Sequence, residues 1–149
     1  MSTPADSFST ETLGLPEANS PASLDFTDGD RFDLRVAPVA KKIGDATVRM
    51  LTYDGSIPGP TLRVKQGSEL MVNVANAGDI EATVHWHGLR LDNRYDGTHE
   101  TQSPIPTGGE FTYRIQWSGR TRCSCRPDRL STSCSKLPTR AVDGPLPHC

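Results

Sequence analysis

Between Phe26 and Trp117 the chain is broken so regularly by turn-forming residues that no amphipathic face long enough for a packed helix survives. The breaks are Asp54-Gly55, Ile57-Pro58-Gly59-Pro60, Gln66-Gly67, Asn76-Ala77-Gly78-Asp79 and Thr107-Gly108-Gly109. Glycine admits backbone angles closed to other residues and proline fixes φ, so each break favours a turn over a continued element. The apolar runs between them predict strands over Arg31 to Val39, Ala46 to Tyr53, Thr61 to Val64, Glu69 to Asn76, Glu81 to Leu91 and Glu110 to Trp117. Within the fourth, Leu70, Val72 and Val74 alternate with Met71, Asn73 and Ala75, the period of two of a half-buried sheet. Short strands at this spacing argue for an all-β sandwich or small barrel.

The chain changes character on either side of this interval. Residues 1–25 are rich in Ser, Thr, Pro, Ala and Glu without sustained periodicity, and are expected to form a flexible leader. All nine aromatic residues lie at or before Trp117, and all four cysteines, Cys123, Cys125, Cys134 and Cys149, lie after it. Residues 1–117 hold 10 Lys and Arg against 16 Asp and Glu, whereas residues 118–149 hold 6 against 2. The expected organisation is therefore a leader at 1–25, a folded domain at 26–117, and an unrelated tail at 118–149, either disordered or translated out of frame.

Charge and hydropathy exclude several partners. A formal net charge of −2 over 149 residues supplies no clustered basic field of the kind that binds nucleic acid or an anionic membrane. No run approaches the roughly 18 apolar residues of a membrane span, and the first residues lack the basic start and apolar stretch of an export signal. A cytoplasmic location is the default expectation.

The most informative residues are Thr83-Val84-His85-Trp86-His87-Gly88. On a strand, side chains alternate faces, so His85 and His87 share one face, about 7 Å apart by the strand rise, while Val84 and Trp86 share the other. Imidazole suits copper, zinc, iron and nickel, and the pair could ligate one metal ion or two neighbouring ions. Histidines that merely face solvent or hydrogen-bond in a core are the alternative. Gly88 would permit close approach of backbone or ligand. Trp86 is expected in the sheet core rather than as a redox relay, and His99, in the following loop, is expected to hydrogen-bond rather than to ligate.

Four segments in order, Tyr53-Asp54-Gly55-Ser56-Ile57-Pro58-Gly59-Pro60-Thr61-Leu62, Gly67, Val84-His85-Trp86-His87-Gly88-Leu89, and Gln102-Ser103-Pro104-Ile105-Pro106-Thr107-Gly108-Gly109 with Phe111-Thr112-Tyr113, closely resemble the first plastocyanin-like domain of multicopper oxidases such as laccases. The resemblance covers residues 26–117 and implies a cupredoxin-like Greek-key β-sandwich or barrel, here incomplete. It implies copper as cofactor, with His85 the type 2 ligand and His87 a type 3 ligand. The family activity so implied is oxidation of a small reducing substrate coupled to reduction of dioxygen to water. Family members are often exported, which the default location does not match.

The resemblance stops after Trp117. A full cluster in this family draws on four His-x-His motifs, whereas this chain has four histidines in all, and Ser118-Gly119-Arg120-Thr121-Arg122-Cys123 stands where the next motif is expected. Oxidase activity is not expected from this chain alone. A one-domain blue electron carrier would need a cysteine ligand inside the folded region, and none is there. The cysteine spacing does not match the paired Cys-x-x-Cys arrangement of common structural zinc sites, and the absent export signal argues against the oxidising compartment a disulfide framework needs. The alternative function is a non-catalytic β-sandwich interaction module or a non-functional gene fragment. Unpaired sheet edges in an incomplete barrel would invite self-association.

Overall fold

The computed structural model describes residues 9–87, 89–117, 123–127 and 132–136. They form nine strands: β1 (Ser23–Phe26), β2 (Asp30–Ile43), β3 (Ala46–Tyr53), β4 (Thr61–Val64), β5 (Glu69–Asn76), β6 (Val84–His85), β7 (Glu110–Gln116), β8 (Cys123–Pro127) and β9 (Thr132–Lys136). A single 3-10 turn, Asn93–Tyr95, is the only helical element among the described residues.

The principal sheet runs β3-β2-β5-β7. Its centre is set by β5, in which every second residue is buried, as the alternation of Leu70, Val72 and Val74 requires. Parallel pairing sets Phe32 against Val72 and Leu34 against Val74, and antiparallel pairing sets Tyr113 against Val72 and Ile115 against Leu70. One face of this sheet thereby becomes a continuous apolar surface. Val84, Trp86, Ala82 and Ile105 belong to the same buried cluster. The outer face is polar, with Arg114 against Glu69 at 2.6 Å and Thr112 donating to Asn73.

The expected strands over Ala46 to Tyr53, Thr61 to Val64 and Glu69 to Asn76 are found with those bounds. The expected strand over Glu81 to Leu91 shrinks to the two residues of β6. Ala82 is held by a separate two-residue bridge to Ile105, and Leu89 N donates to the Trp86 carbonyl, turning the chain away. Periodicity reports which side chains are buried, not which backbone groups find a partner strand, so it overextends such an element.

The last residues of the expected leader lie against the sheet. Ala40 N donates to Pro16 O and Ala18 N to Ala40 O, both at 2.9 Å, and β1 pairs in parallel with β4. Residues 1–8 lie outside the described set. So does most of 118–149, on which the expectation of a disordered or out-of-frame tail falls. Within that segment β8 and β9 pair antiparallel, and β9 runs parallel to β6.

Asp54 closes the turn after β3 with φ +48, a left-handed conformation that Asn and Asp tolerate best after Gly. Its Oδ1 accepts from Arg35 N at 2.7 Å. Burial raises its carboxyl pKa, and the Arg35 hydrogen bond opposes that only in part. A folded-state pKa above the unfolded one means that the ionised form is disfavoured by folding, so this group's stabilising contribution is lost as pH rises through the raised value. Asp54→Asn keeps the acceptor and the backbone preference without the charge. Urea unfolding is expected to show equal or slightly higher stability for the variant at neutral pH, an advantage that vanishes below the ordinary carboxylate range.

Candidate metal centre

β6 is anchored from behind. Val84 is fully buried, its N–H donates to Tyr113 Oη at 3.0 Å, and the Trp86 ring meets the Tyr113 ring edge-on at 5.8 Å between centroids. Burial raises the Tyr113 phenol pKa, with the Val84 hydrogen bond acting the other way. The tyrosine therefore serves as a neutral acceptor to the strand. Val84 and Trp86 are committed to the core, and burial goes on alternating past the end of β6, so that the His85 and His87 rings stand together away from the core. Their ring centroids lie 5.6 Å apart at an interplanar angle of 64°. His85 is half-buried and His87 exposed.

The His85 ring is held by the loop that follows. Its Nδ1 lies 2.7 Å from the backbone carbonyl oxygen of Asp96 and 3.6 Å from the Asp96 carboxylate. A carbonyl only accepts, so this hydrogen bond places the proton on Nδ1 and leaves the Nε2 lone pair available. Such a fixed tautomer is what a metal-ligating histidine needs, since the nitrogen that does not bind metal donates to an oxygen. Nothing in residue type marked Asp96 for this role, because the contact is made by its main chain.

These donors fit part of a copper site. Two imidazoles side by side suit copper, and one has its outer nitrogen satisfied. Among the described residues no group of three or more His, Cys, Asp or Glu side chains could hold a metal ion, so the pair is a partial donor set. His99 is exposed in the loop beyond Asp96 and joins no such group. Gly88, His148 and Cys149 fall outside the described residues. Trp86, only 1% exposed, is a core residue as expected. No described helix is long and apolar enough to cross a membrane.

A family model for multicopper oxidases matches residues 36–125. Multicopper oxidase MmcO of Mycobacterium tuberculosis is 43% identical over 78 residues, covering 52% of this chain and 16% of that protein. Laccase-3 of Oryza sativa subsp. japonica is 39% identical over 77 residues, covering 50% of this chain and 14% of that protein. The chain thus spans about a sixth or less of these relatives' length. Among solved structures, Lac15 from a marine microbial metagenome aligns with a TM-score of 0.59 at 35% identity, over 64% of this chain and 27% of that one. The all-β fold of the described residues matches the cupredoxin-like β-sandwich of these proteins.

Proposed function

Because the chain belongs to the multicopper oxidase family, we propose that residues 26–117 are its first plastocyanin-like domain and hold copper through His85 and His87. Copper is the cofactor the family implies. In this reading His85 serves the type 2 ion and His87 a type 3 ion, and copper, when bound, supplies one-electron redox chemistry at the face shared by the two rings. The observation that carries the reading is that pair of imidazoles, 5.6 Å apart, with His85 Nδ1 tied to the Asp96 carbonyl.

The chain's own contribution is positional. Tyr113 fixes the strand, Trp86 wedges it against the sheet, and Asp96 orients one ring. Two imidazoles leave most coordination positions to water or to histidines from elsewhere, so substrate oxidation coupled to dioxygen reduction is proposed for the complete oxidase, with this segment supplying one part of its cluster. The rival reading, a non-catalytic β-sandwich interaction module, draws on the lack of a third donor among the described residues.

Copper(II) added to the purified chain is expected to give an electron paramagnetic resonance signal with nitrogen hyperfine structure and no intense blue band. His85→Ala and His87→Ala should each weaken the nitrogen hyperfine structure, and the double variant should lose it. A nitrogen signal unchanged in the double variant would sink the assignment, and a blue cysteine–copper band would point to an electron carrier instead.

A further inference from the structure

The loop that reaches back to His85 is built with unusual constraint. Asp92 Oδ1 accepts from Arg94 N at 3.1 Å, Tyr95 N donates to Asp92 O at 2.8 Å, and Asp96 N donates to Asn93 O at 3.1 Å, which fixes the 3-10 turn Asn93–Tyr95. The Tyr95 ring packs on Phe111 of β7 at 6.4 Å between centroids, so the turn is pinned to the principal sheet. Gly97 follows, buried, with φ +76. A Cβ built there would overlap the Val84 carbonyl group and stand 2.9 Å from His85 Cα. Both features admit only glycine, the first because L side chains rarely take that φ, the second because backbone atoms of β6 occupy the space a side chain needs.

The consequence is an approach of one backbone to another that no other residue would allow, immediately after the carbonyl that meets His85 Nδ1. We propose that Gly97 is a positioning residue for the metal site. By letting the Asp92–Gly97 loop lie directly on β6, it brings the Asp96 carbonyl within hydrogen-bonding reach and sets His85 in the Nδ1-protonated tautomer, with Nε2 presented to the metal. In solution a neutral imidazole exchanges between tautomers, so a site lacking this contact would divide its population between binding and non-binding forms. Tyr95, through Phe111, holds the other end of the loop.

The meaning of this device rests on the copper reading above, but the tautomer is a property of the metal-free chain and is read without copper. Nitrogen-15 spectra of the apo chain, labelled at histidine, are expected to show a pyrrole-like Nδ1 and a pyridine-like Nε2 for His85. Gly97→Ala should move His85 to the averaged pattern and weaken copper binding by about tenfold or more, the range expected when a ligand's outer partner is lost. Tyr95→Ala, which leaves β6 untouched, should shift the pattern the same way to a smaller extent, and so answers the question should the glycine variant not fold. A wild-type His85 protonated on Nε2 would overturn the proposal, as would an unchanged Nδ1-protonated pattern in both variants. If the tautomer responds as stated but copper binds wild type and both variants independently of His85, the lock stands and the copper reading fails.

Discussion

Truncating Trp86 to alanine is expected to remove about 3–5 kcal/mol of folding stability, the usual cost of deleting a buried tryptophan. A domain of this kind holds about 5–15 kcal/mol in total, so much of the variant population should be unfolded under mild conditions. The ring is 1% exposed, meets Tyr113 edge-on at 5.8 Å, and belongs to the buried cluster that includes Val72, Val74 and Ile105. Because Trp86 lies between His85 and His87, the same truncation should also erase the spacing of the two rings. Trp86→Phe retains an aromatic edge on Tyr113 and should lose less than half as much. Urea unfolding followed by far-ultraviolet circular dichroism measures both, and a loss below about 1 kcal/mol for the alanine variant would show that the wedge is not structural.

Asn76 is expected to be nearly as sensitive, although it is polar and sits at the end of a strand. Its Nδ2 donates to the carbonyls of Ile80 and Ile105, each at 2.9 Å, and its Oδ1 accepts from Gly78 N at 2.9 Å. One amide therefore ties the end of β5 to two separate stretches of chain. Ile105 is in turn paired with Ala82, two residues before β6, so the network reaches the approach to the histidine strand. Asn76→Ala takes this partner from the Ile80 carbonyl and the Gly78 N–H, while the Ile105 carbonyl keeps the Ala82 N–H, and a buried group left unpaired costs about 1–3 kcal/mol. A loss of about 2–4 kcal/mol is expected in urea unfolding. Asn76→Asp, which turns an acceptor toward two acceptors, should do no better at neutral pH. An alanine variant as stable as the parent would mean that water replaces the amide at no cost.

The parts of this molecule that were legible in advance are those where one residue's character decides its environment. Leu70, Val72 and Val74 define β5 because alternate burial is written in their spacing, and the Gly and Pro breaks define where β3 and β4 stop and start. His85 and His87 were legible as a pair for the same reason, since alternation fixes their common face. Other features depend on what is brought together from afar. The four residues of β1 carry too little pattern to stand out, and become a strand because β4 offers a parallel partner. The Asp96 contact is made by a carbonyl that every residue possesses, and Asn76 reads locally as a turn former although its side chain joins three segments. Gly97 carries no local sign of its role, which is set by the β6 backbone lying in the space beside it.

The central claim, that His85 and His87 form one face of a copper site, is tested most directly by equilibrium dialysis of the full chain against copper(II), comparing wild type with the His85→Ala, His87→Ala double variant. Near-ultraviolet circular dichroism would establish that both are folded. The account predicts stoichiometric copper retained by the wild type beyond whatever the variant holds, because the tail cysteines are common to both chains. Equal retention by the two folded proteins would contradict it.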